Sequence, residues 1–371
     1  GRIGIYVGSH THFSEKQNRA IDRFCATYDA VVICDHTSGY YGKYKLLPTL
    51  VQLQSDITSP FPPLDLMVHI GEISAASFND TIPAKEVWRV SEDGELRDPF
   101  KKLTTVFQMS EEMFFLHYGK DGCNRHVLID ECRELFGEIY EQIPELPFCN
   151  IWTAMQLSSR LPKGALFHMG VSNTRRCWNM FQLPESVESA CNVGCCGIDG
   201  CVSTLVGASL VNPDRLCYVV VGDLTFFYDL NSLGNHHIGT NLRVMLVNNG
   251  RGTEFRLGIH HCNVFGDDAD KYMAAAGHFG NKSPLLVKHY AEDLGFHYLS
   301  ATTKEEFMTA LSNFTNPQLS DHSMILEVFT DSKDESEALY LMSHIQSDAK
   351  GMVRSKLKDA VRNVAGEKGI N

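Results

Sequence analysis

Gly222-Asp223-Leu224-Thr225-Phe226-Phe227-Tyr228-Asp229-Leu230-Asn231 directly follows the apolar run Cys217-Tyr218-Val219-Val220-Val221, and Asn248-Asn249-Gly250 directly follows Leu242-Arg243-Val244-Met245-Leu246-Val247. Both apolar runs are short, rich in β-branched residues and bounded by turn residues, which is how a strand buried on both faces reads. Asp223 and Asn249 stand 26 positions apart, room for a strand end, a crossover helix and a second parallel strand. Neighbouring parallel strands would then present an Asp and an Asn at one carboxyl edge, where open α/β sheets bind their ligands. A carboxylate, an amide oxygen and a backbone carbonyl just beyond make a hard-oxygen half-shell suited to Mg²⁺, which completes its coordination with water and phosphate. Taken singly, Gly-Asp and Asn-Asn are ordinary turns.

The same alternation extends outward from this pair. Ile3–Val7, Ala30–Cys34, Leu64–Ile70 and Val87–Val90 read as strands. Ser14–Tyr28 reads as a helix with Ser14 as N-cap and Glu15 in its first turn, and Pro48–Gln54 as a short helix. A polar helical stretch covers roughly Ser110–Glu141, after which Pro144 and Pro147 mark a boundary. Beyond it, strands are predicted at 165–170, 216–221, 242–247 and 324–329, and a helix at 201–210. The expected fold is therefore α/β: two parallel-sheet, three-layer α/β/α domains over residues 1–145 and 146–345, followed by a basic helical tail at 346–371.

Composition narrows the function classes. Hydrophobic residues make up 43% and charged residues 21% of 371, ordinary globular usage that argues against disorder. A net charge of −12 without a basic block argues against a nucleic-acid partner, and no apolar run is long enough to span a membrane. Twelve cysteines at irregular intervals, several inside apolar strands, suggest buried thiols and a reducing cytoplasm rather than a disulfide framework. Cys191, Cys195, Cys196 and Cys201 cluster, but without a paired zinc spacing. Gly1–Gly8 reads as strand rather than as a secretion signal, and with no Met at its start the chain is expected to be part of a longer protein.

A second chemical signal is Gly194-Cys195-Cys196-Gly197-Ile198-Asp199-Gly200, running into the helical Cys201-Val202-Ser203-Thr204. Glycines at every third position let backbone N–H groups approach an anion, although the segment could equally be a tight strand-to-helix turn. The spacing is not the dinucleotide fingerprint G-x-G-x-x-G, so NAD fits poorly.

In this order the segments resemble thiamine diphosphate-dependent enzymes, whose cofactor motif is Gly-Asp followed about two dozen residues later by Asn-Asn. Among these the chain looks most like the menaquinone-pathway synthases that join decarboxylated 2-oxoglutarate to isochorismate. The matching segments are Gly197–Gly200 with Ser203-Thr204, Gly222–Asn231, and Val247–Gly250 with Phe255. Weaker matches are Met169-Gly170 with Ser172 and Arg176, and Leu64-Asp65 with Asp98-Pro99. The resemblance implies that Asp223, Asn249 and the Arg251 carbonyl hold Mg²⁺ against the cofactor diphosphate, which Gly222, Leu224 and Thr225 approach. Ile198 would be the apolar wedge beneath the cofactor, and Ser172, Arg176 and Phe255 would meet substrate. A guanidinium at 176 is also a natural bidentate partner for a carboxylate. The implied reaction is decarboxylation of a 2-oxo acid and addition of the remaining carbons to an acceptor, in a homodimer or homotetramer.

Three departures from the family pattern stand out. Asn192-Val193 occupies the place where the synthases carry Asn followed by Arg. Arg251 replaces a customary Gly. The domain bearing the glutamate that activates the aminopyrimidine is expected to be missing from these residues, and the chain alone is therefore expected to be inactive. Alternatives left open are another thiamine diphosphate enzyme (a 2-oxo acid decarboxylase or acetolactate-synthase-like ligase), a non-catalytic cofactor-binding fragment, and an NAD-type or metal-thiolate protein. Among the histidines at 236, 237, 260, 261 and 278, His260 or His261 is the preferred candidate for a proton shuttle.

Overall fold

The computed structural model describes residues 1–58, 61–72, 82–258, 260–272, 283–353 and 355–357. Two compact units divide the chain, Gly1–Pro144 with Met342–Asn371, and Glu145–Leu341.

The first unit holds β1 (Ile3–Val7), β2 (Ala30–Cys34), β3 (Lys45–Leu46), β4 (Leu64–Ile70), β5 (Ala84–Ser91) and β6 (Leu103–Gln108). They form one sheet in the order β3-β2-β1-β4-β5-β6, every pairing parallel. Helix Glu15–Tyr28 follows β1. It starts at Ser14, whose hydroxyl accepts the Gln17 N–H at 3.3 Å while the Gln17 side chain accepts the Ser14 N–H at 2.9 Å. This reciprocal capping satisfies two N–H groups that the first helical turn leaves without partners.

The helical stretch expected over Ser110–Glu141 is instead two helices, Glu111–Tyr118 and Val127–Glu141. The break falls at two glycines, the first of which, Gly119, ends the helix with φ −71° and ψ 136°. A side chain at Gly119 would come within 2.9 Å of the Phe115 carbonyl, and Gly122 adopts φ +76°, which disfavours any other residue. Of the basic tail, residues 349–353 and 355–357 are helical; the rest lies outside the described residues.

The second unit holds β7 (Leu166–Met169), β8 (Glu188–Cys191), β9 (Cys217–Gly222), β10 (Leu242–Asn248), β11 (His297–Ala301) and β12 (Met324–Phe329). Their order is β11-β12-β10-β9-β7-β8, again all parallel. The chain is thus α/β with two six-stranded parallel sheets flanked by helices. Every residue of β10 is buried, as are the first five of β9, because helices cover both faces of the sheet. Val219, Val221, Val244 and Leu246 pack with Val202, Leu205 and Phe226 of the adjoining helices in one apolar core. That core fixes the height at which β9 and β10 end, and so the height of the residues that follow.

Candidate active site at the carboxyl edge of the second sheet

β9 and β10 pair directly, from Leu242 opposite Cys217 to Val247 opposite Gly222. One step beyond this register, Asp223 leaves β9 as Asn248 ends β10, and Asn249 begins the turn. Asp223 is the first residue of helix Asp223–Asp229, is 2% exposed, and its Oδ1 accepts the Leu224 N–H at 2.8 Å. The two asparagines divide their work. Asn248 turns inward, its Nδ2 donating to Glu327 Oε1 of β12 at 2.7 Å, while Glu327 Oε2 accepts the Tyr298 hydroxyl at 2.7 Å. Burial raises the Glu327 pKa, with the Asn248 and Tyr298 hydrogen bonds opposing. Asn249 is only half-buried, and its Oδ1 accepts the Arg251 N–H at 3.4 Å.

The donors along this edge are hard oxygens: the Asp223 carboxylate, the Asn249 amide and the Arg251 carbonyl, which accepts the Thr253 N–H at 3.0 Å. Beside them the buried Thr253 hydroxyl has no partner among the described residues. A buried hydroxyl without a partner costs free energy unless something hydrated or anionic meets it. This donor chemistry fits Mg²⁺ carrying a diphosphate.

The glycine-rich segment lies after β8. Its last residue, Gly200, has φ +81° and precedes helix Cys201–Val211. Ile198 is half-buried within it. Asn192 Nδ2 donates to the Gly200 carbonyl at 3.2 Å and to the Thr204 hydroxyl at 3.1 Å, tying the start of the segment to the helix that follows. Asp229, at the end of the helix opened by Asp223, accepts the Ser203 N–H at 2.6 Å.

Ser172 and Arg176 follow β7, which lies on the other side of β9 from β10. Ser172 has φ +60° and ψ −123°, a costly conformation for a residue with a Cβ, and strain of this kind gathers at functional sites. Arg176 forms a fork-to-fork ion pair with Glu254, Nη1 to Oε2 at 2.9 Å and Nη2 to Oε1 at 2.5 Å. Burial pulls the Arg176 pKa down, but the Glu254 hydrogen bond and charge outweigh it and leave the value raised. Phe255, next to Glu254, meets the His260 ring edge-on at 5.1 Å, and His260 Nδ1 accepts the Cys262 N–H at 3.1 Å.

The structure thus gathers Asp223, Leu224, Thr225, Asn249, Arg251, Phe255, Ser172 and Arg176 on the segments leaving three adjacent strands, and Ile198 on the segment leaving the fourth. Two participants escaped the sequence reading, Glu254 and Glu327, while Asp229 stood inside the Gly222–Asn231 block without an assigned role. Only Glu254 had a local signal, an acid beside the apolar Phe255. His236 and His237 are exposed in the crossover. The His261 side chain and His278 lie outside the described residues.

None of the twelve cysteines is joined in a disulfide, and among the described residues no group of three or more His, Cys, Asp or Glu is placed to hold a metal. A cleft of about 460 Å³ lined by Gly164, Glu188, Arg215 and Leu216 lies at the opposite, amino edge of the sheet and has no part in this arrangement. No helix of the described residues is long and apolar enough to cross a membrane.

Parallel α/β architecture with Gly-Asp and Asn-Asn closing two paired strands defines a class, the thiamine diphosphate-dependent enzymes, and the chain belongs to that family. Within the family it is similar to the 2-succinyl-5-enolpyruvyl-6-hydroxy-3-cyclohexene-1-carboxylate synthase of Bacteroides fragilis, 33% identical over 263 residues that make up 69% of this chain and 45% of the relative. The synthase of the same name from Phocaeicola vulgatus is 32% identical over 265 residues, 69% of this chain and 44% of the relative. That of Christiangramia forsetii is 33% identical over 199 residues, 54% of this chain and 33% of the relative. The chain therefore spans less than half the length of these curated relatives. No family model matches it.

Proposed function

We propose that these residues form the central and diphosphate-binding domains of a thiamine diphosphate- and Mg²⁺-dependent 2-oxo acid decarboxylating carboligase of the menaquinone-synthase type. The observation that supports this reading is the β9–β10 pairing, which puts Gly222 opposite Val247, so that the segments bearing Asp223 and Asn249 leave adjacent strands at one carboxyl edge. Asp223, Asn249 and the Arg251 carbonyl would hold Mg²⁺, with Gly222, the Leu224 N–H and Thr225 facing the diphosphate. Ile198 would support the cofactor from below. The cofactor, when bound, supplies the carbon nucleophile and electron sink that a 2-oxo acid needs to lose CO₂. Protein groups supply position and exclude water: Ser172, Arg176 and Phe255 would line the substrate side.

In the intact enzyme we place the cofactor between two subunits of a homodimer or homotetramer. Free thiols throughout fit a reducing, cytoplasmic setting. A second reading, a 2-oxo acid decarboxylase or acetolactate-synthase-like ligase, is favoured by Val193, which is buried and apolar where the synthases carry an arginine.

Calorimetry of the full-length enzyme with thiamine diphosphate, with and without Mg²⁺, tests the cofactor assignment. Assays of CO₂ release over a panel of 2-oxo acids, with and without isochorismate, separate the two readings. Absence of Mg²⁺-dependent cofactor binding would sink both.

A further inference from the structure

Helix Cys201–Val211 begins at Gly200, which has no side chain with which to cap it, so the N–H groups of its first turn need acceptors from outside the helix. The third of them, Ser203, donates to Asp229 Oδ2 at 2.6 Å. Asp229 lies 26 positions further along the chain and is the last residue of the helix that Asp223 opens. A carboxylate placed here meets the positive end of the helix dipole, and its hydrogen bond is charge-assisted.

The carbonyl side of the same turn is held from within its own stretch of chain. The Gly200 carbonyl accepts the Thr204 N–H at 3.0 Å, the Thr204 hydroxyl at 2.6 Å, and the Ser203 hydroxyl and Asn192 Nδ2 at 3.2 Å each. The N–H side is held instead by a helix that also bears Leu224 and Thr225. That helix links two parts of the proposed cofactor site. At its start stand the groups read as facing the diphosphate, and at its end the carboxylate that fixes where helix Cys201–Val211 begins. Ile198, read as the support beneath the cofactor, lies two residues before Gly200.

We infer that Asp229 is a positioning residue: by capping helix Cys201–Val211 at Ser203, it fixes the height of Ile198 against the diphosphate contacts at Asp223–Thr225. The inference rests on the reading of both groups as cofactor contacts and deepens it.

Two ligands separate this role from general damage. Thiamine diphosphate spans both parts of the site, whereas inorganic pyrophosphate reaches only the Asp223–Thr225 end. Both are titrated calorimetrically, with Mg²⁺, into the full-length enzyme. Asp229→Ala should weaken thiamine diphosphate by about fivefold, the ordinary worth of a lost helix cap, and leave pyrophosphate unchanged. Asp229→Asn keeps an acceptor oxygen at the same reach and should restore most of the loss. With thiamine diphosphate saturating, Asp229→Ala should lower kcat and leave the KM for the 2-oxo acid unchanged. Ser203→Pro removes the donor instead of the acceptor, in a first-turn position that proline tolerates, and should reproduce the split if Asp229→Ala fails to fold.

Equal losses for the two ligands would show that Asp229 only supports the helix it closes, and unchanged thiamine diphosphate affinity in Asp229→Ala or Ser203→Pro would show that Ile198 is set by other means. Either result overturns the inference while leaving the proposed function standing. A wild type that binds neither ligand in a Mg²⁺-dependent way refutes the proposed function and the inference with it.

Discussion

Arg176 and Glu254, 78 positions apart, clasp each other through two near-parallel contacts in a largely buried setting. Removing one member leaves an uncompensated charge with little access to water, which is costlier than losing the pair. Arg176→Met should therefore destabilise the protein by about 3 kcal/mol, and Glu254→Leu by a similar amount. The combined Arg176→Met/Glu254→Leu variant should cost clearly less than the two single effects together. Urea unfolding of all four proteins measures the coupling, and strictly additive losses would mean that the two residues do not act as a pair.

Asp223→Ala removes the one carboxylate of the proposed Mg²⁺ shell. In the full-length enzyme it should abolish Mg²⁺-dependent thiamine diphosphate binding, seen as a flat calorimetric trace, with an unchanged far-ultraviolet circular dichroism spectrum. Asp223 is buried at the start of its helix, where its Oδ1 accepts the Leu224 N–H at 2.8 Å. Normal activity in this variant would refute the metal assignment.

What the sequence made legible, and what it hid, follows from the position of each strand in its sheet. β1, β2, β4 and β5, and β7, β9, β10 and β12, are interior strands with a partner on each side, and apart from the mixed β5 (AKEVWRVS) they are written largely as apolar runs. All four strands that escaped the sequence reading, β3, β6, β8 and β11, are sheet edges. Edge strands are short or carry polar residues because one side of each meets no partner strand, as in Glu188-Ser-Ala-Cys191 and His297-Tyr-Leu-Ser-Ala301. The Asp223–Asn249 juxtaposition was readable because it needs only two adjacent strands and a crossover. The Arg176–Glu254 pair was not, since it depends on which strand lies between their elements. Nor does sequence announce the positive φ of Ser172, where no glycine marks the turn.

Gly200 separates conformation from space. A methyl group there would find its nearest neighbours, Asn192 Nδ2 and Ser203 Oγ, at 3.8 Å, so there is room for it, but φ is +81°. Gly200→Ala should therefore cost about 1–2 kcal/mol through backbone strain alone. Thermal unfolding checks the magnitude. An unchanged melting temperature would show that the turn relaxes to negative φ, which would also move the Thr204 and Asn192 contacts to the Gly200 carbonyl.

Glu335 provides a pH test. Its carboxyl is fully buried at the start of helix Ser332–Ser343, and Oε1 accepts the Asn150 N–H at 2.9 Å and the Thr330 hydroxyl at 3.0 Å. Burial pushes its pKa from 4.5 up to about 7, with those hydrogen bonds opposing. Below about pH 4.5 folded and unfolded chains are both protonated here, so the group adds no pH dependence. Between there and about pH 7 the unfolded chain has released the proton while the folded one retains it, and stability falls as pH rises. The loss levels off above that window, reaching at most about 3 kcal/mol. Glu335→Gln keeps an oxygen for both donors and has nothing to ionise. Its unfolding free energy should fall less steeply than that of wild type between pH 5 and 7.5, by roughly this amount, and should exceed wild type at pH 8. Parallel stability curves for the two proteins would mean that Glu335 is ionised throughout, with a partner for its second oxygen that the fold supplies by other means.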